Sequence, residues 1–172
     1  MAELLPQERL QPSLLDRLVD DDPSSAVESN DRRVLSKSQL RQAVLRDLEW
    51  LLNAAQIRQS LLQGQAEVEN SVLNYGLPPF SGETASEVAQ QDVEASIRQV
   101  IERFEPRIDP SSLEVRVSTA GSILDAHNLL QLRIRGTLWA QPTPIELIIK
   151  STIDLETGLI ALDDSAGRSA RG

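Results

Sequence analysis

Val93-Glu94-Ala95-Ser96-Ile97-Arg98-Gln99-Val100-Ile101-Glu102-Arg103-Phe104-Glu105-Pro106-Arg107 carries the junction between two halves of the chain that are patterned differently. Val93, Ile97, Val100, Ile101 and Phe104 fall at i, i+4, i+7, i+8 and i+11, so five apolar side chains line one helical stripe. Pro106 lacks a backbone donor and pushes Glu105 out of the helical region, so a helix running from about Gln91 must stop near Phe104. Residues before the junction read as helix and loop, and residues after it as sheet.

Beyond Arg107 the apolar period drops to two. Leu113, Val115 and Val117 alternate with Glu114 and Arg116, and Leu130, Leu132, Ile134 and Leu138 alternate with Gln131, Arg133, Arg135 and Thr137. Ile145, Leu147 and Ile149 resume the pattern after the short connection Ala140 to Pro144, and Ile153 to Ile160 reads as a hairpin with Gly158 at a left-handed turn. Four strands joined in order predict an antiparallel meander with a charged outer face, covered on its other face by two main helices. The fold class is α+β.

Upstream, Ser36-Lys37-Ser38-Gln39 is a capping box that opens the first main helix. Leu40, Val44, Leu48 and Leu51 form its stripe, widened by Leu45 and Leu52; Arg46 and Asp47 lie off the stripe, Trp50 sits at its edge, and Asn53 is a natural end. Residues 54–65 are polar and read as frayed helix or loop. In Ser71 to Phe80, Gly76 can take a positive φ and Pro78-Pro79 stiffen the chain, so Tyr75, Leu77 and Phe80 are expected to wedge against the helices. Thr84 to Gln91 reads as a preliminary helical turn. Nearer the N-terminus, Ser13-Leu14-Leu15-Asp16 forms an S-x-x-D cap, and Leu14, Leu15, Leu18 and Val19 share a stripe that ends before Asp20-Asp21-Asp22-Pro23. This short amphipathic helix is either a strap over its own core or a docking peptide for a partner, because periodicity does not distinguish the two. The expected organisation is an N-terminal helix and linker over residues 1–34, one α+β domain over 35–163, and a small polar tail over 164–172.

Composition narrows the function. The 172 residues carry a formal charge of −9, which disfavours a free nucleic-acid partner. Aromatics are only 3%, so the core is filled by Leu, Ile and Val and an aromatic-lined ligand groove is not expected. All but Lys37 and Lys150 of the 17 basic residues are arginine, which suits planar contacts to carboxylates but also follows from GC-rich coding. Without cysteine there is neither disulfide nor thiolate metal site. The start of the chain lacks a basic, apolar leader and no run approaches the length of a membrane span, so a cytoplasmic protein is expected.

Few residues offer chemistry. His127, beside Asp125 and near Ser122, has no nucleophile-elbow context, and the acidic runs lack the ligand spacing of a calcium loop. No cofactor and no metal is expected. Glu105-Pro106-Arg107 remains: in an extended segment residues two apart face the same side, which presents an anion beside a cation. The plainer alternative has Arg107 capping the last carbonyls of the preceding helix while Glu105 accepts a bond from a strand or loop. Residue types alone favour that cap.

Four ordered motifs carry a resemblance: Leu14-Leu15-Asp16-Arg17-Leu18, Val44 to Asn53, Asn74-Tyr75-Gly76-Leu77-Pro78 and Phe104-Glu105-Pro106-Arg107. Together, from about Ser13 to Asp163, the chain resembles the TssE family of type VI secretion baseplate subunits, itself similar to the baseplate wedge protein of contractile phage tails. Pro79 departs from the acid usual in that family after Tyr-Gly-Leu-Pro. The resemblance implies a baseplate component at the cytoplasmic face of the inner membrane, with wedge partners TssF, TssG and TssK and sheath partners TssB and TssC. It assigns partner binding to Glu105, Pro106 and Arg107, and it implies sheath nucleation by strand addition. With the docking reading of the N-terminal helix, Leu14, Leu15 and Leu18 join those partner-binding residues. The family has also carried a lysozyme-like label. A muramidase needs two carboxylates at a set separation, one of them protonated, and Glu105 beside Arg107 is poorly suited to be that acid.

Overall fold

The computed structural model describes residues 13–18, 35–57, 61–62, 64–79, 90–119, 129–140 and 143–163. Phe80, the turn expected before Gln90, the loop holding Ser122, Asp125 and His127, the linker over 23–33 and the C-terminal tail lie outside them.

The elements obey the two periods. Among the described residues, α-helices α1 (Leu14–Leu18), α2 (Lys37–Asn53), α3 (Ala66–Glu69) and α4 (Gln90–Phe104) precede strands β1 (Glu114–Thr119), β2 (Leu129–Leu138), β3 (Ile145–Asp154) and β4 (Ile160–Asp163). The sheet is antiparallel in the order β1-β2-β3-β4, the expected meander. Ser36 opens α2 with the reciprocal box, its hydroxyl accepting from the Gln39 N–H at 3.2 Å and its own N–H donating to Gln39 Oε1 at 2.9 Å. Gly158, at φ +74°, turns the β3–β4 hairpin.

The core lies between the helices and one face of the sheet. Leu40, Val44, Leu48, Leu51 and Leu52 from α2 and Val93, Ile97, Val100 and Ile101 from α4 meet Val115, Val117, Leu130, Leu132, Ile134, Leu147, Ile149 and Ile153. Each such side chain contributes roughly 1.5–3 kcal/mol by leaving water, so this interlayer seam dominates stability. Phe104 completes the α4 stripe half-buried, its ring edge-on to Tyr75 at 5.3 Å between centroids.

The junction itself is pinned to the sheet. Ile108 bridges antiparallel to Leu138, Asp109 N–H donates to Thr137 O at 2.9 Å, and Trp139 N–H donates to Arg107 O at 2.8 Å. The Glu105–Arg107 turn is therefore held against the far end of β2, beside β1. Gly136 makes room for it: a Cβ there would stand 2.9 Å from Ile108 Cγ2.

Residues 54–57 form a loop, zipped to the Tyr75–Pro78 segment by Leu77 N–H to Ala54 O and Gln56 N–H to Leu77 O, both at 2.8 Å. That zipper needs Gly76, which has φ +115° and whose Cβ would fall 2.2 Å from Ala54 O. Gly76→Ala is expected to destabilise the chain by more than about 1 kcal/mol in urea titration. Gly64→Ala is the comparison, since Gly64 also has a positive φ but open space around it; it is expected to cost less.

Candidate functional site

Helix α4 ends by delivering Glu105 inward. Its N–H still bonds Ile101 O at 2.9 Å, closing the last turn of the helix, while Pro106 faces solvent and turns the chain. The Glu105 side chain is only 4% exposed, and a buried carboxylate is tolerated only when paired and hydrogen-bonded. Arg107 meets both requirements. Its Nε donates to Glu105 Oε1 at 2.6 Å and its Nη2 to Oε2 at 2.5 Å, a two-pronged fork, and its backbone N–H adds a third bond at 3.2 Å. Arg107 is thus bonded to carboxylates and does not cap the α4 carbonyls, because the turn at Pro106 swings the guanidinium back over Glu105.

The pair is the end of a longer alternation. Arg107 Nη2 also donates to Asp47 Oδ2 at 2.6 Å, and Asp47 Oδ1 accepts from Arg46 Nε at 3.0 Å and Nη2 at 2.7 Å. Arg46 Nη1 then donates to Asp16 Oδ1 at 2.6 Å, and Asp16 Oδ2 accepts from the Ser13 hydroxyl at 2.6 Å. Five alternating charges therefore connect α1, α2 and the turn after α4. Arg46 also lies over the Trp50 ring, 5.1 Å from its centroid. The off-stripe position of Arg46 and Asp47 on α2 is what lets them reach sideways to both neighbours.

The electrostatics match the geometry. Burial opposes the charge on Arg107, yet the bonds and charges of Glu105 and then Asp47 outweigh it and raise its pKa above the ordinary guanidinium value. Hydrogen bonds to Asp16 and Asp47 raise Arg46 likewise. Burial, together with the nearby Asp47 and Glu105 charges, pushes the Tyr75 phenol up. Asp16 loses some hydration, but Ser13 and Arg46 overcome that and hold its carboxyl below the usual range.

Among the residues expected to bind partners, the structure brings Glu105 and Arg107 together and leaves Pro106 exposed beside them. Leu14 and Leu18 point outward, 72% and 73% exposed; the Leu15 side chain is outside the described residues. Helix α1 is tethered to α2 through Asp16 while two leucines of its apolar stripe face solvent.

The sheet margins form a second feature. At β4 the Asn53 amide mimics a neighbouring strand: its Nδ2 donates to Ile160 O and its Oδ1 accepts from Ile160 N–H, both at 2.9 Å. Where β3 runs past β4, Arg41 donates to Glu146 O at 3.2 Å and Ile148 O at 3.5 Å. At β1, Glu94 Oε1 accepts from Val117 N–H at 2.7 Å. Since Val117 N–H points away from β2, the alternating geometry sends the groups of Val115 and Thr119 outward as well. Among the described residues, Val117 N–H is the only outward backbone group of β1 with a partner. Asp47, Asn53 and Glu94 have no signal in the sequence as partners, because what they bind is fixed only by folding.

Arg107→Ala leaves the Glu105 carboxylate buried and unpaired and is expected to cost about 3–5 kcal/mol in chemical denaturation. Asp47→Ala is expected to cost less, since each arginine keeps another carboxylate. The Asp16 bond has a pH signature. Its folded pKa is lowered, so the tether is complete above the ordinary carboxylate range and is lost as pH falls through the lowered value. Protection factors over residues 14–18, each referenced to the intrinsic exchange rate at the same pH, are expected to fall under those acidic conditions, and to be low already at neutral pH in Asp16→Asn.

No curated protein and no solved structure matches the chain. The pattern of the baseplate wedge protein gp25 family does, over residues 38–143, from the first turn of α2 to the connection before β3. That span includes Arg46, Asp47, Glu105, Arg107 and the β1 margin. A match over more than half its length shows that this chain belongs to the baseplate wedge protein gp25 family, with a structural role in a phage-tail-like baseplate.

Proposed function

We propose that the chain is the TssE-type subunit of a type VI secretion baseplate, and that it nucleates the contractile sheath by accepting a strand at the β1 margin. The observation that carries this reading is the asymmetry of the two margins. On the β3–β4 side Asn53 and Arg41 occupy outward groups of Ile160, Glu146 and Ile148, whereas on β1, among the described residues, a single carboxylate engages a single N–H. An added strand forms main-chain bonds to such an open edge, and its alternate side chains set register. The occupant is an extended arm of the first ring of TssB and TssC.

In this reading the subunit stands at the cytoplasmic face of the inner membrane, beside TssF, TssG and TssK. No helix among the described residues is long and apolar enough to cross a membrane, so its place there depends on those partners. The exposed Leu14 and Leu18 form a docking helix for a wedge neighbour, held in position by the Asp16–Arg46 bond. Glu105 and Arg107 set the shape of the turn that presents Pro106, and the subunit works without catalysis. A general acid of a muramidase must reach the glycosidic oxygen, and the Glu105 carboxylate is buried and forked by Arg107.

Thr119→Pro removes an outward N–H at the exposed end of β1, a place where an edge strand tolerates proline. The variant is expected to keep its circular dichroism spectrum and to co-purify with TssF, TssG and TssK, while fluorescent sheath counts in cells collapse. Normal counts would refute strand addition at β1. Leu14→Asp with Leu18→Asp is expected to lose the wedge partners at unchanged melting temperature; a large drop in melting temperature would make α1 a strap instead. Clearing of cell walls by the purified protein would restore the muramidase.

A further inference from the structure

We propose that the outer face of the sheet docks an extended acidic segment of a partner protein along a row of three cations, Arg116, Arg133 and Lys150. Antiparallel register sets Arg116 opposite Arg133 and Arg133 opposite Lys150. All three lie on the solvent face, Arg116 with its side chain 75% exposed. Like charges directly opposite one another weaken a sheet, so folding alone gives no reason for the alignment.

Neighbouring cations are treated differently. Arg135, two residues along β2, is neutralised by Glu146 at 2.8 Å. Arg107 and Arg46 are bound within the charge network. Arg133 has no ion pair among the described residues, and Arg116 has only Glu94, at a loose 3.7 Å, at its outer end. At the other end of the row Lys150 stands in register with Asp163. Arg133, at the centre of the row, stands in register with a cation on each side.

The surroundings fit an acidic peptide. The row crosses a shallow concavity of about 720 Å³, flanked on one side by the neutral hydrogen-bonding groups of Ser118, Gln131 and Thr152. Two interstrand steps of about 4.8 Å separate the outer cations, a span that about three residues of an extended chain would cover. Carboxylates at alternate positions of such a segment could each meet a cation, and arginine forks suit carboxylates. The overall charge of −9 argues against nucleic acid, whose phosphates would be repelled by the rest of the molecule. This face is distinct from the β1 backbone margin, so it does not depend on strand addition there.

The test uses the full chain and a fluorescein-labelled peptide alternating glutamate and alanine, monitored by anisotropy at low salt. Arg133→Glu is expected to weaken binding by about tenfold or more, because it places an anion where the carboxylate would sit. Arg133→Gln is expected to weaken it less, and Arg98→Glu, which reverses a half-exposed charge on α4 paired with Glu102, hardly at all. Arg133→Glu is also expected to raise the melting temperature, by separating Arg116 from Lys150 with an opposite charge. Equal losses for Arg133→Glu and Arg98→Glu would overturn the proposal, as would unchanged binding in Arg133→Glu. Tighter binding of an oligothymidylate of equal charge would replace the acidic protein by a nucleic acid. A large gain in peptide affinity when Asp20, Asp21 and Asp22 are changed to Asn would make this chain's own acidic stretch the occupant, and would overturn the proposal too.

Discussion

A carboxylate taken out of water costs several kcal/mol unless it is paired and hydrogen-bonded, and the buried Glu105 places that constraint at the joint between the helical and sheet layers. Arg107, two residues on, meets it with a fork, and the proline between them supplies the bend that brings the two together. The same guanidinium reaches Asp47 on α2, so one side chain ties both main helices and the start of the sheet. Burying such a pair adds little net stability compared with an apolar replacement, while removing one partner is severe. Its value here is geometric: it fixes the direction of the chain between α4 and β1, and through Asp47, Arg46 and Asp16 it fixes where α1 lies.

The sheet is kept from pairing indiscriminately by side chains that stand in for strands. Asn53 gives Ile160 the donor and acceptor a neighbouring strand would give, and Arg41 covers carbonyls of β3. An uncovered edge is a general aggregation hazard, and a protein built to join an assembly must leave open only what its partner uses. The lighter closure of β1 by Glu94 is consistent with such a design. The plugs come from α2 and α4, whose apolar stripes are already anchored in the core, so they are held in place by packing that has its own reasons to exist.

The outer face shows a different compromise. Arg116, Arg133 and Lys150 are aligned at the expense of stability, whereas Arg46, Arg107 and Arg135 are each matched to a carboxylate. Proteins often accept such local conflict at sites used for recognition. The structural family and the charge pattern together describe a subunit whose surfaces, more than its interior, carry its specificity.

Much of this architecture was legible in the residues. The apolar period of α4, its stop at Pro106, the capping box at Ser36, the α2 stripe, the alternation of the strands and the Gly158 turn all depend on neighbours a few positions apart, and each formed as its spacing required. The four ordered motifs likewise located the chain in a baseplate family. What the tertiary structure decided were the partners of polar groups far apart in sequence. Residue types alone favoured Arg107 as a helix cap, and folding instead delivered it to Glu105 and Asp47, because Asp47 arrives only when α2 packs beside α4. Asn53 read as the end of a helix and became a substitute strand for Ile160. Arg116, Arg133 and Lys150 were three unrelated outward positions until strand register aligned them. Local periodicity determines which face a side chain occupies; only packing and register determine what it meets there.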